Sequence, residues 1–249
     1  MQYGGVSELE MFLGAGSWPL NIPFLFDDRN SAQELIDEVL LDDFNEQLEE
    51  HNVQILDAVL RSPRKLTANK PITHPDEVQG LKIRVPEITE WVTTWDSILG
   101  ASSVAMGGSE VFSAMQTGII DAQENPVSFI YSNNIYEVNP YIMNTDHVLA
   151  PRIIYASKGW LDSLTEEEQG WVTEAAEQAY GEQFDNELEF EKTLSEELTE
   201  QGVEFIDVDY AAFQQVVIEN VEDEFRNLYS DEVWEGYIKP RLEEIRSGM

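Results

Sequence analysis

One apolar stripe in the second half of the chain constrains the fold more than any other feature of the sequence. It begins after Thr165, which forms a capping-box pattern with Glu168, and it continues at helical spacing to Gln201-Gly202. At 1.5 Å per residue this helix extends about 50 Å, whereas a small domain is about 30 Å across. The sequence therefore predicts a two-lobed body braced by one long helix. The stripe consists of the apolar residues Val172, Ala176, Ala179, Tyr180, Phe184, Leu188, Leu194 and Leu198.

Strand-like and helix-like stretches alternate through the first two thirds of the chain, which is typical of an α/β protein with mainly parallel sheets. Alternating or continuous apolar runs predict strands over 53–60, 81–84, 103–106, 119–124 and 203–206. Apolar residues at helical spacing predict helices over 31–51, 89–99, 165–201, 210–229 and 231–245, and one that starts at Ser109 as its N-cap.

The chain is strongly acidic, which limits the classes of partner. It has 49 Asp and Glu against 14 Lys and Arg, a net charge of −35, in 249 residues. Such a surface repels nucleic acid and anionic membranes. The acids are scattered and do not form one tail, so we hypothesise a halophile's protein whose self-repulsion is screened by salt. The absence of cysteine excludes disulfides and thiolate chemistry.

The first residues and the hydropathy of the chain bear on its location. Met1 to Gly5 contain neither the basic nor the apolar segment of a secretion signal. No apolar run is long enough to span a bilayer. We therefore expect either a cytosolic protein or a chain whose beginning is missing.

Two polar residues follow predicted strands, where ligands of open α/β sheets usually bind. Arg84 ends one strand and could receive a carboxylate through two parallel hydrogen bonds, although an ion pair with one of the many carboxylates is an equal alternative. Asn125 precedes Pro126, so its side chain could donate to a ligand or, the favoured reading from spacing alone, cap the next helix.

Enzymatic chemistry has little support in the sequence. The three histidines, His51, His74 and His147, are widely spaced, and the sequence has neither an HExxH motif nor a serine nucleophile elbow. Each is interpreted as a structural or a surface histidine. The glycines before Ser109 complete neither a P-loop nor a dinucleotide fingerprint, so a plain helix start is favoured over an anion cradle. We expect no cofactor, no metal site and no catalytic residue.

Several motifs occur together in an order that resembles one known family, the solute-binding proteins of TRAP (tripartite ATP-independent periplasmic) transporters, which are similar to C4-dicarboxylate-binding proteins. The resemblance covers nearly the whole chain. It is carried by GLKIRVP (80–86), SEVFSAMQTG (109–118) and DAQENP (121–126), with IPFLF (22–26), NKPI (69–72), YEV (136–138) and TDH (145–147) in support.

This resemblance implies a fold, an activity and a set of site residues. The fold is a two-lobed receptor that closes over a small organic carboxylate, with a dicarboxylate as one option, and delivers it outside the cytoplasm to membrane permease subunits without using ATP. The family's principal arginine falls on Arg84, its QENP asparagine on Asn125 and a second arginine on Arg64. Arg152 is expected to line the cleft, and Glu8 is the loosest match.

Two departures from the family pattern are present. Gly108 stands where the family commonly has an aromatic residue, which would remove a wall of the ligand cleft. From the resemblance we also expect the chain to lack the strand-helix-strand-helix portion with which family members begin, which would leave the first lobe incomplete. The resemblance places this lobe in residues 1–61 plus 151–190 and the second in 62–150 plus 191–249.

Two other classes of function remain as alternatives. A ligand-sensing or interaction module could keep the same fold and pass the state of the ligand to a partner protein. A soluble α/β enzyme would need a catalytic acid, base or cofactor loop in the cleft, and the sequence offers none.

Overall fold

The computed structural model describes residues 1–248, except for the side chains of residues 6–8 and 185. This part of the chain forms nine strands and eleven α-helices. The strands are β1 (Gln2–Gly4), β2 (Val53–Leu60), β3 (Lys65–Ala68), β4 (Lys82–Val85), β5 (Ser102–Ala105), β6 (Ala122–Asn125), β7 (Tyr141–Met143), β8 (Pro151–Ser157) and β9 (Glu204–Ile206).

The helices account for most of the remaining chain. They are α1 (Val6–Leu13), α2 (Arg29–Leu35), α3 (Leu41–Leu48), α4 (Thr89–Thr93), α5 (Val111–Gln116), α6 (Val127–Ser132), α7 (Lys158–Leu161), α8 (Glu166–Glu200), α9 (Tyr210–Phe225), α10 (Asp231–Val233) and α11 (Lys239–Gly248). Three π-helical turns interrupt or extend them, at Ile36–Leu40, Thr94–Ile98 and Trp234–Ile238. The predicted helix over 31–51 is therefore real but is broken by the first of these turns.

The strands form two separate sheets, which confirms the α/β class. The smaller sheet has the order β1-β8-β2 and is antiparallel throughout. The larger sheet has the order β5-β4-β6-β3-β7-β9. Its pairs are parallel between β4 and both of its neighbours and between β7 and β9, and antiparallel between β3 and both of its neighbours. The prediction of mainly parallel sheets is wrong for the smaller one. There β8 runs back from the larger sheet between two strands of opposite direction, and local sequence patterns do not encode strand direction.

The long helix α8 is present and contacts both halves of the molecule. Its 35 residues extend about 50 Å. It contacts β2 of the smaller sheet and α6 beside the larger one. The predicted stripe is buried only near these two contacts, because Tyr180 and Leu198 are buried whereas the midpoint residue Leu188 is 50% exposed.

Helix starts follow the predicted chemistry in one case and depart from it in two. Thr165 and Glu168 form the predicted capping box of α8. The cap of α2 is Asp28, whose carboxylate accepts the Ser31 amide at 2.7 Å, so this helix begins at Arg29 and not at the predicted residue 31. Ser109 is not a cap. It lies inside a 3-10 turn whose cap position is Gly107, and the Glu110 carboxylate accepts the Gly107 amide at 3.0 Å.

Two large hydrophobic cores support the sheets. One packs the smaller sheet against α2 and α3, with Trp18 and Phe44 stacked 4.9 Å apart at its centre. The other packs the larger sheet against α9 and the helices that follow it, and includes Phe24 from the first segment of the chain. The smaller sheet takes strands from 2–60 and 151–157, and the larger from 65–143 and 204–206; the lobe boundaries themselves stay a prediction. None of the described helices is both long and apolar enough to cross a membrane.

Candidate ligand-binding site

Three of the predicted site residues meet where strands of the larger sheet end. Arg84 on β4 lies opposite Gln123 in the parallel pairing of β4 with β6. Asn125 ends β6 and lies opposite Lys65, so that Arg64, which precedes Lys65, reaches the same place. The sheet register therefore brings together three polar groups that are up to 61 residues apart in the sequence.

Arg64 is buried and bound to its neighbours within the protein. Its Nη2 donates to the Glu124 carbonyl at 2.6 Å, to Glu124 Oε1 at 2.9 Å and to Asn125 Oδ1 at 2.9 Å, and its Nε donates to Glu124 Oε2. The guanidinium carbon also lies 4.6 Å from the centre of the Trp91 ring. Arg64 thus neutralises a buried carboxylate and orients Asn125.

Glu124 is the buried acid at the centre of this network. Burial would raise its pKa, but attraction to Arg64 and hydrogen bonds from Arg64 and His147 outweigh burial, so the pKa is lowered. His147 Nε2 lies 3.2 Å from Glu124 Oε2, and its Nδ1 lies 2.8 Å from Thr145 Oγ1. His147 is a buried structural histidine, one of the two readings offered by the sequence.

Asn125 does not cap the helix that follows it, so the capping prediction is wrong. Its Nδ2 donates to Gln123 Oε1 at 2.6 Å. The first turn of α6 is capped instead by Glu191 of α8, whose carboxylate accepts the amides of Val127 at 2.8 Å and Ser128 at 2.9 Å. Because Glu191 caps α6, the Asn125 side chain has no capping role and instead bonds Arg64 and Gln123 at the strand end.

Arg84 is 7% exposed and forms no ion pair among the described residues, which contradicts the salt-bridge alternative. Its Nε and Nη2 both donate to the Met106 carbonyl, at 3.0 and 2.8 Å. Burial lowers the pKa of Arg84, and repulsion from Arg64 adds to this while attraction to Glu124 opposes it. Its Nη1 makes no hydrogen bond in the described part of the chain. A cation held this way can accept an anion.

Arg152 lies apart from this group, next to an arginine that the sequence reasoning missed. Together with Arg61 it lines a cavity of about 350 Å³ between β1, β8, α6 and α8. The guanidinium carbon of Arg152 is 5.1 Å from the centre of the Tyr3 ring. Arg61 follows β2 directly and precedes Arg64 by three residues, a position after a strand that could have drawn attention to it.

The region of Gly108 is not simply open. A β-carbon placed on Gly108 would lie 3.5 Å from the Phe129 ring, an ordinary van der Waals distance. Phe129 of α6 is partly buried and packs against a third hydrophobic core, which contains Val111 of α5 and Val127 of α6. An aromatic ring is therefore present next to Gly108, although it comes from another helix. Glu8 belongs to α1, but its side chain lies outside the described part of the structure.

Comparison with known sequences identifies relatives over most of the chain. The family "Bacterial extracellular solute-binding protein, family 7" matches residues 6–229. A solute-binding protein of Roseobacter denitrificans is 35% identical over 218 residues, which are 83% of this chain and 65% of that protein. The ectoine-binding periplasmic protein TeaA of Halomonas elongata is 32% identical over 206 residues, 82% of this chain and 57% of that protein. The chain thus spans two thirds or less of these relatives.

Solved structures agree with the sequence comparison. A TRAP periplasmic solute-binding protein of Roseobacter denitrificans with bound L-galactonate has a TM-score of 0.79 and 30% identity, covering 98% of this chain and 84% of that one. One from Xanthobacter autotrophicus with bound β-D-galacturonate has a TM-score of 0.83 and 26% identity, covering 98% and 79%. With its two sheets, its bracing helix and its strand-end arginines, this chain belongs to the bacterial extracellular solute-binding proteins of family 7.

Proposed function

We propose that the chain captures a small organic carboxylate outside the cytoplasm and passes it to the membrane permease of a TRAP transporter, without catalysing a reaction. The observation that carries this proposal is Arg84, a nearly buried guanidinium without a carboxylate partner among the described residues. A desolvated cation of this kind is costly unless an anion joins it. The ligand's carboxylate supplies that anion.

Arg84, Asn125 and Arg64, which we call the strand-end group, each have a role in this proposal. Arg84 binds the carboxylate, and Asn125 donates or accepts one further hydrogen bond. Arg64 acts by holding Asn125 in place, since its own donors already bind Glu124 and Asn125. Lobe closure follows if the bound carboxylate interacts better with the closed arrangement than with the open one. The proposed lobes are residues 1–61 plus 151–190 and residues 62–150 plus 191–249.

The known relatives favour sugar acids as the ligand class. The two structures described above hold L-galactonate and β-D-galacturonate, each a six-carbon acid with one carboxylate. TeaA shows that the family also takes ectoine, so the scaffold accepts other solutes that carry a carboxylate. We therefore propose a six-carbon sugar acid as the first ligand to test.

Isothermal titration calorimetry at high salt tests the assignment of Arg84. Arg84→Ala should weaken binding of galactonate or galacturonate by roughly 2 to 5 kcal/mol, because a desolvated charge pair loses one partner. Arg84→Lys keeps the charge but loses the planar pair of donors, so it should be intermediate. Arg246→Ala, at a half-exposed arginine with a 3.8 Å ion pair, is the matched control. Unchanged affinity in Arg84→Ala would refute the assignment.

A further inference from the structure

Arg61 and Arg152 converge on one cavity without a carboxylate bound to either of them. The cavity of about 350 Å³ is lined by the two arginines, by Tyr3, Ser128, Asn186 and Glu187, and by further residues of α8. Neither guanidinium forms an ion pair within 4 Å in the described part of the chain. The chain has 49 acids for 14 bases, so two neighbouring arginines without an ion pair need a specific reason.

Glu187 is the acid of this cavity, and its oxygens have other partners. Oε1 accepts the Ser62 amide at 2.9 Å, and Oε2 accepts from Gln183 Nε2 at 3.1 Å. It attracts Arg61, but its carboxylate forms no ion pair within 4 Å of that guanidinium. The cavity therefore holds two guanidinium groups against one carboxylate that already has hydrogen-bond donors.

The two arginines also repel each other. Burial, and then repulsion from Arg152 and Arg64, lower the pKa of Arg61 to about 10. Attraction to Glu187 opposes this only in part. A bound anion would relieve the repulsion as well as receive hydrogen bonds, and the polar side chains of Ser128 and Asn186 could complete its environment.

The position of the cavity relates it to the strand-end group. Arg61 lies three residues from Arg64, and Arg64 is close enough to repel both Arg61 and Arg84. Ser128 is in the first turn of α6, which follows Asn125 directly. Two residues of the cavity, Arg61 and Ser128, are therefore each three positions along the chain from a residue of the proposed carboxylate site.

We propose that Arg61 and Arg152 form a second anion subsite, which binds the other carboxylate of a dianionic ligand, a six-carbon sugar diacid. The proposal rests on the proposed function, in which Arg84 binds the first carboxylate. In this proposal Arg61 and Arg152 determine how strongly the chain prefers ligands with two carboxylates over ligands with one.

Galactonate and galactarate are a matched pair of probes, because they share the carbon chain and differ in a terminal CH₂OH or carboxylate. Calorimetry on the full chain at high salt should show that galactarate binds at least about tenfold more tightly. Arg61→Gln and Arg152→Gln should each remove about tenfold of galactarate affinity and change galactonate affinity less than about twofold. Arg246→Gln, with the same loss of charge elsewhere, should leave both affinities unchanged.

Thermal unfolding without ligand separates a binding role from a structural one. Because the substitution removes the repulsion from Arg152 and Arg64, Arg61→Gln should not lower the unfolding midpoint. Equal weakening of both probes in these variants, or no preference for galactarate in the unmodified chain, would overturn the second subsite. A carboxylate that binds the chain and is lost only in Arg84→Ala would uphold the proposed function while overturning this inference. Binding that is unaffected by Arg84→Ala would overturn the proposed function itself.

Discussion

Replacing Glu191 with Ala tests how the long helix joins the two halves of the molecule. The Glu191 carboxylate is 7% exposed and accepts the amides of Val127 and Ser128 at 2.8 and 2.9 Å. Without it the first turn of α6 has no side-chain cap, since Pro126 at the cap position offers none. Each buried amide left unpaired costs about 1 to 3 kcal/mol. Burial raises the pKa of Glu191, so the cost of desolvating its carboxylate offsets part of the stability that these hydrogen bonds contribute.

The net loss expected for Glu191→Ala is therefore about 2 to 3 kcal/mol of unfolding free energy. Glu191→Gln keeps one carbonyl acceptor but turns its NH₂ group, a donor, toward the second backbone amide. It should therefore lower the free energy of unfolding by about half as much. Denaturant unfolding at a fixed high salt concentration measures both values. Hydrogen exchange at the amides of residues 127 and 128 reports the local effect.

The control for this prediction is Glu189→Ala on the exposed face of the same helix. That change removes one charge without removing a cap, and should shift stability by less than about 0.5 kcal/mol. If Glu191→Ala and Glu189→Ala have the same stability and the same amide exchange, the argument that α8 caps α6 is wrong.

Three further predictions concern pH, a cap and salt. The pKa of Glu10 is raised from 4.5 to about 7, by burial first and then by repulsion from Glu90, so its charge costs stability only as pH rises from about 4.5 to 7. Glu10→Gln should thus raise the free energy of unfolding by about 1 to 2 kcal/mol at pH 8, a value lowered to allow for the partial solvent exposure of Glu10. At pH 4 it should have no effect, and unfolding measured at both pH values checks this. Thr165→Ala should cost about 1 kcal/mol in denaturant unfolding because it removes half of the capping box of α8. A net charge of −35 should lower the melting temperature as salt is removed, and salt-independent melting would refute the halophile hypothesis.

Asn125 and Arg61 illustrate where reasoning from the sequence fails. Next to Pro126, Asn125 has the residue type and spacing of a helix cap, yet a carboxylate 66 positions later in the chain takes that role. Arg61 belongs to no motif that resembles the family, and only the cavity shared by β1, β8 and α8 shows that it lies next to Arg152. Both errors arise because the deciding partner is distant in sequence.

The sequence by itself determined the α/β class, the long helix, most strand positions and the family, because these depend on local periodicity, capping residues and ordered motifs. It also indicated Arg84 and Asn125, since both lie at the ends of recognisable strands. Only the tertiary structure decided the antiparallel smaller sheet, the interruption of the buried stripe at Leu188 and the pairing of Arg64 with Glu124. These depend on which distant segments pack together, and the free energy of such contacts is set by burial and charge in the folded chain.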